Sequence, residues 1–423
     1  MRNFFHNFIL KDINIIDVEN GNVYNKNVYV SNGLISKITK SLDLSLNYQE
    51  INCKNKFLFP GLIDSHCHVS SCFLKDIMTF SNINIINNQI KKNLFNCIKN
   101  GITTIRDMSS PLKLINYFKE EIQNKKVIGP RIFFSGPIIS IKNGYPNDIP
   151  SDLYPFSFYI GKTKSDFVSS ISEDEIKNYI WELIENGIDF LNLSYVGKTE
   201  NNDKLPIFSN ETIKLIIDFS KNYNKSVSVN VLFYDDFIKI VNYNIDSLEH
   251  IVKDKVIEID LWEKVKQENI YLVPTLKSNF IEENNIEIAE KYFEKEIINS
   301  LKNKNFHNKQ NDKYRNIITE NIKNAINNDV KIISSSNAGT ELNLFGSLLD
   351  ELLLLNKLGL DNLKTLQSCT INAAKLLKLE SYIGSILEGK FADFLILSNN
   401  PLEQIENLSS IEYVVKEGAF YNF

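Results

Sequence analysis

Residues 59–68 read Phe59-Pro60-Gly61-Leu62-Ile63-Asp64-Ser65-His66-Cys67-His68. A Pro-Gly turn signal opens the stretch, a short apolar run follows, and two histidines two positions apart close it. Side chains alternate along a β-strand, so His66 and His68 project to the same side and bring two imidazoles toward one point. A metal ion needs that arrangement. Cys67 points the opposite way, into the wall the strand forms, and is read as packing rather than as a nucleophile.

Downstream, short β-rich runs alternate with longer stretches carrying apolar residues at helical spacing, for instance Ile213, Ile216, Ile217 and Phe219. The runs fall at 61–64, 103–106, 131–135, 190–193, 227–231, 245–248, 271–273 and 331–334. Eight of them, alternating with helices, predict a (β/α)8 TIM-like barrel over 59–384. Such barrels carry their chemistry at the C-terminal ends of the strands, where His66 and His68 stand. Upstream, apolar runs broken by Asn20-Gly21 and Asn32-Gly33 predict a β meander. The β pattern returns at Gly384-Ser385, in 391–397 and in 413–415. Strands at both ends need partners for their backbone groups. Residues 1–58 plus 385–423 are therefore expected to form one small composite β-sandwich domain. The charged stretch 284–329 is expected to be a solvated helical face.

The chain has 423 residues, a formal charge of −5 and 43% hydrophobic residues. Disorder of the whole chain is excluded by that composition. The acidic balance and the lack of a basic block argue against nucleic-acid binding. No apolar run is long enough for a membrane span, and no signal peptide is read at the N-terminus, so a cytoplasmic protein is expected. The five cysteines show no CxxC spacing and are read as reduced thiols, with Cys72 near the pocket mouth. His6 and His307 are read as surface histidines. Asparagine fills about 56 positions, far above average use, so a single Asn carries little functional information.

The motifs resemble those of the amidohydrolase superfamily, in its imidazolonepropionase-like and prolidase-like branch. The 59–68 stretch is similar to that family's first strand. Gly101-Ile-Thr-Thr-Ile-Arg-Asp107 is similar to the second, Gly129-Pro-Arg-Ile-Phe-Phe-Ser-Gly136 to the third, Ser247-Leu-Glu-His250 to the sixth and Val273-Pro-Thr275 to the seventh. Thr370-Ile-Asn-Ala-Ala374 and Gly389-Lys-Phe-Ala-Asp393 are similar to the closing segments. The resemblance implies a hydrolase acting on C–N bonds of a small molecule, with a homo-oligomer by family habit. It implies that His66 and His68 ligate one metal and His250 a second. The family's bridging Lys, strand-five His and strand-eight Asp are replaced here by Asn192, Asn230 and Asn337. A Gly-Gly-His after the third strand becomes Asn143-Gly144-Tyr145.

Asparagine brings neither negative charge nor a titratable base. A dinuclear centre is therefore not expected; one zinc or similar ion on His66, His68 and His250, or no metal, is. The catalytic candidates are His66, His68, His250 and Asn337. Asn192, Asn230, Tyr145 and Arg106 are the substrate-binding candidates, Arg106 for a carboxylate. Asp64, Glu249, His250 and Tyr145 remain to replace the missing base or acid. Three outcomes stay open: a metal-dependent hydrolase with an altered site, a metal-independent enzyme of changed reaction type (cyclisation, dehydration or isomerisation), and a non-catalytic binder of a small molecule.

Overall fold

The computed structural model describes residues 2–4, 7–42, 48–70, 83–141, 143–146, 172–280, 309–340 and 343–423. Cys72, His6 and His307 lie outside them. Two parallel sheets form a TIM-barrel-like α/β unit. One joins Leu62–Cys67, Ile102–Asp107 and Arg131–Phe134; the other joins Phe190–Ser194, Ser226–Asn230, Ser247–Glu249 and Tyr271–Val273. Leu62–Cys67, Ile102–Asp107, Phe190–Ser194 and Ser226–Asn230 are buried at every residue. Helices cover the outside, as parallel strands demand. Helix Asn210–Asn222, capped by Ser209, lays Ile213, Ile216 and Ile217 against its strand neighbours. Backbone bridges tie the two sheets at both margins: Ile139 to Leu193 on one side, Leu272 to Ile332 and Cys67 to Ala338 on the other.

The eighth run, expected as a strand at 331–334, makes only that Ile332 bridge. Groups distant in sequence take the bonds a ladder would use. Ile333 N reaches Leu272 O at 2.8 Å, but Ser334 N goes to Ser368 O at 3.2 Å, Ile63 N on the first strand goes to Cys369 O at 2.8 Å, and just past the run the Ser336 N–H goes to the Asp64 carboxylate at 2.9 Å. Helix Lys309–Asn327 also departs from expectation. Its Ile318 and Ile322 are fully buried, and Asn321 donates to the carbonyls of Val252 and Lys255, so this helix is not a solvated face throughout.

Strands from both chain ends join one nine-stranded hydrogen-bonded sheet, which curls far enough to set the Phe8 ring 4.8 Å from that of Phe420. Phe394–Leu397 lies between Phe57–Pro60 and Ile411–Lys416, antiparallel to both. Asn7–Asp17 pairs with Asn22–Ser31, Gln49–Asn52 and Phe57–Pro60, which keeps the ladder continuous. Asn32 and Gly33 both take positive φ, the backbone a two-residue hairpin turn requires. Gly384-Ser385 is not a strand. Phe8, Leu10, Val28, Leu58, Phe394 and Val415 form this sheet's own core. The sheet meets the barrel-like unit at the start of its strands: Gly61 N donates to Asp393 O at 2.9 Å, and Arg131 pairs with Asp393 at 2.6 Å and Glu417 at 2.7 Å. The opposite strand ends stay available for chemistry. Among the described residues no helix is long and apolar enough to cross a membrane.

Candidate active site

Three imidazoles gather at the strand ends. The His66 ring centroid lies 5.2 Å from that of His68 and 4.9 Å from that of His250. His66 is fully buried. Its Nδ1–H donates to Glu249 Oε2 at 2.7 Å. Burial works to raise the Glu249 carboxyl, but the Arg106 charge and the hydrogen bonds from His66 and Ser247 outweigh it and hold the group at about 2. An ionised carboxylate only accepts, so Nδ1 of His66 carries a proton. That Nε2 is buried without a hydrogen-bond partner.

Arg106 lies beneath, 1% exposed. It donates to Glu249 Oε1 at 2.9 Å, to Ser65 O at 3.2 Å and to Ser247 Oγ at 3.2 Å, and also bonds Ser228 Oγ. Its guanidinium stands 4.3 Å from the centre of the Phe190 ring. The sequence suggested a substrate carboxylate as its partner. The buried partner is Glu249 instead, because the two inward positions Ser247 and Glu249 bring hydroxyl and carboxylate onto the same side as Arg106.

His250 and Thr275 share a hydrogen bond, Nδ1 to Oγ1, of 2.7 Å. Burial, then the neighbouring His66, push His250 well below the usual imidazole range. Burial and His66 likewise push His68 down to about 3, with the nearby Asn337 amide working against them. Both rings are therefore neutral near pH 7. His250, Thr275 and Asn337 all have positive φ, at 73°, 48° and 50°. A β-branched residue in that region is an outlier, of the kind that clusters at functional sites.

Asn192, Asn230 and Asn337 divide into two groups. Asn230 Nδ2 donates to Asn192 Oδ1 at 2.7 Å and to Leu193 O at 2.8 Å, while Asn192 Nδ2 donates to Met108 O at 2.6 Å. These two amides are mainly bound to each other and to backbone. Asn337 sits across the site, its N–H on His66 O at 2.9 Å and its Nδ2 on Ser278 Oγ at 2.7 Å. Its Oδ1 is buried without a hydrogen-bond partner. Tyr145 is half-buried on the loop after Arg131–Phe134, and its carbonyl accepts from Ser140 Oγ at 2.6 Å. Asp64 is bonded by the Ser336 N–H and hydroxyl, which ties it into the wall. Cys67 is buried in the main core, with Sγ 3.5 Å from Arg106 O. Gly339 fits closely below the histidine pair: a Cβ there would lie 2.3 Å from His68 O.

Among the described residues no three His, Cys, Asp or Glu side chains stand so as to hold a metal ion. A dinuclear centre does not fit these donors. The amides of Asn192 and Asn230 are committed to each other, and the nearest carboxylate, Glu249, is turned to His66 and Arg106. Sequence reasoning named Glu249 only as a substitute base. The signal for its place was the Ser247-Leu-Glu249 alternation, which puts Glu249 on the Ser247 side. Nothing in the sequence marked Ser278.

A model of the amidohydrolase family matches residues 57–420. Among solved structures, a prolidase complexed with N-methylphosphonate-L-proline is 22% identical, with a TM-score of 0.79 over 98% of this chain and 99% of that one. A Xaa-Pro dipeptidase with bound methionine in the active site is 21% identical, with a TM-score of 0.78 over 99% and 100%. A molinate hydrolase is 18% identical, with a TM-score of 0.78 over 99% and 95%. No curated protein matches. The sequence match over most of the length, with these barrel-like neighbours, means that the chain belongs to the amidohydrolase family.

Proposed function

We propose that the protein hydrolyses a C–N bond in a small amide, cyclic amide or dipeptide-like molecule, through a site altered from the usual one. The observation that carries this reading is the state of His66: Nδ1 held by an ionised carboxylate, Nε2 buried, unpartnered and beside two neutral imidazoles. Amide hydrolysis needs a base for the water proton and an acid for the leaving nitrogen. His66 Nε2 takes the water proton, and Glu249 stabilises the imidazolium that forms. The imidazolium then returns the proton to the departing amine. His68 and His250, neutral, offer N–H groups to the carbonyl oxygen as charge develops on it. Asn337 Oδ1 accepts a substrate N–H. Tyr145 serves the substrate's remaining polar groups, and the paired amides of Asn192 and Asn230 form the wall beside it.

The test is turnover of Xaa-Pro dipeptides, N-acyl amino acids and cyclic amides, followed by release of free amine. His66→Ala should lower turnover by about 10²-fold or more, the usual worth of a positioned base. Turnover that survives this substitution would sink the assignment. Ligand-induced thermal stabilisation without turnover would point to a binder.

A second reading places one divalent ion on His66, His68 and His250, which would have to draw closer together than they stand here to share it. It is favoured by the same carboxylate on His66 Nδ1, the outer partner that metal-ligating histidines usually have. Such an ion would supply a Lewis acid and a more acidic water. Metal content per chain separates the two. A value near one with chelator-sensitive turnover favours the ion, and a value near zero with chelator-resistant turnover favours the imidazoles alone. A value near two would contradict the donor argument.

A further inference from the structure

Glu351 lies on helix Leu348–Lys357 and is fully buried. Its carboxylate receives two backbone N–H groups, Leu276 at 2.8 Å and Lys277 at 2.7 Å. These open the short turn Leu276–Asn279. The Lys277 ammonium adds a second tie to the same helix, reaching Asp350 at 2.6 Å. The turn is where the site's outer supports originate. Thr275, immediately before it, bonds His250 Nδ1 at 2.7 Å from a backbone of positive φ. Ser278, within it, accepts from Asn337 Nδ2 at 2.7 Å and from Asn343 Nδ2 at 3.0 Å.

We propose that Glu351 is a positioning residue: by fixing the turn after the seventh strand, it sets the His250 ring through Thr275 and the Asn337 amide through Ser278. The inference rests on the reading that His250 and Asn337 serve the reaction. Its geometric content stands on the hydrogen bonds alone. Two N–H groups at a turn entrance need an acceptor when buried. Without the carboxylate, a Thr with positive φ has no reason to keep that conformation. Its hydroxyl then leaves Nδ1 of His250. A 1 Å displacement of such a group costs orders of magnitude in rate.

The test is nitrogen NMR of the full chain labelled at its 5 histidines, at one fixed pH above the value of about 8 to which burial raises Glu351, so that the group is a carboxylate. In wild type, His250 should show one dominant tautomer. In Glu351→Gln the amide –NH₂ confronts a backbone N–H. The difference between the two His250 nitrogen shifts should then shrink by at least half, while His66, held by Glu249, keeps its signature. Leu355→Ala, in the buried core of the same helix, should lower stability without moving the His250 signals. An unchanged His250 tautomer in Glu351→Gln, or an equal change in Leu355→Ala, would overturn the proposal. Should Glu351→Gln not fold, Glu351→Asp reads the same shift through a shortened reach, and an unchanged tautomer there counts equally against it. Once a substrate is in hand, Glu351→Gln should lower kcat about 10-fold or more with little change in KM. Failure of the hydrolase reading would leave the NMR result intact, so the two failures are distinguishable.

Discussion

Glu249 joins two charged or chargeable neighbours that are both out of reach of water. Removing it leaves the Arg106 guanidinium uncompensated in the interior. Glu249→Ala should therefore destabilise the fold by about 3–5 kcal/mol in urea unfolding. Glu417→Ala is the contrasting case. Glu417 is 49% exposed opposite Arg131, which keeps Asp393, so that substitution should cost under about 1 kcal/mol. Equal effects would mean that the Arg106 pair is solvent-screened. The two carboxylates also show what a sequence can and cannot disclose about a site. The HxH spacing announces residue type and direction, because strand alternation is local. The partner of a buried charge is fixed by chain closure: Arg106 and Glu249 are 143 positions apart, and no local rule joins them.

At the scale of elements, turn and cap chemistry is read more easily than strand ends. Ser172-Glu173-Asp174-Glu175 has the Ser-x-x-Glu spacing of a capping box, and the structure has both of its hydrogen bonds at the start of helix Glu173–Glu185. Ser172→Ala should lower the unfolding free energy by about 1 kcal/mol, seen as a lower urea midpoint at unchanged slope. The alternation of apolar runs and helices was legible for the same reason, since it depends on neighbours in sequence. The eighth run was not. The Ser368 carbonyl and the Asp64 carboxylate take N–H groups at it and just past it, and Asp64 stands 272 positions away in sequence. The Leu276–Asn279 turn was likewise invisible, because its acceptor, Glu351, sits on a helix formed much later in the chain.

The whole molecule should answer to pH through its buried imidazoles and carboxyls, Asp64 among the carboxyls that burial raises. Burial raises Asp107 from 3.8 to about 7 and Glu351 from 4.5 to about 8, the hydrogen bonds that each accepts opposing it only in part. Between the ordinary and raised values the folded state holds more protons than the unfolded one, so each group's contribution falls as pH rises. His68 and His250 act in the other sense. Their folded values lie below 6.5, so stability is lost as pH falls through that point. The two effects oppose one another from 4.5, the ordinary value of Glu351, up to 6.5, and only the carboxyl effect remains above. The melting temperature should thus be nearly flat over the first interval and decline from pH 7 to 8. Glu351→Gln should remove most of that decline; a decline that persists in this variant would assign it to other groups.

The interleaving of the chain's two ends has a temporal side. Phe57–Pro60 finds its antiparallel neighbour only in Phe394–Leu397, which leaves the ribosome more than 330 residues later. Until then an early-made ribbon waits with one margin bare, at a synthesis speed of about 5–20 residues per second. For that interval the growing polypeptide carries a sticky, incomplete template, and its safe passage depends on how promptly its own tail arrives.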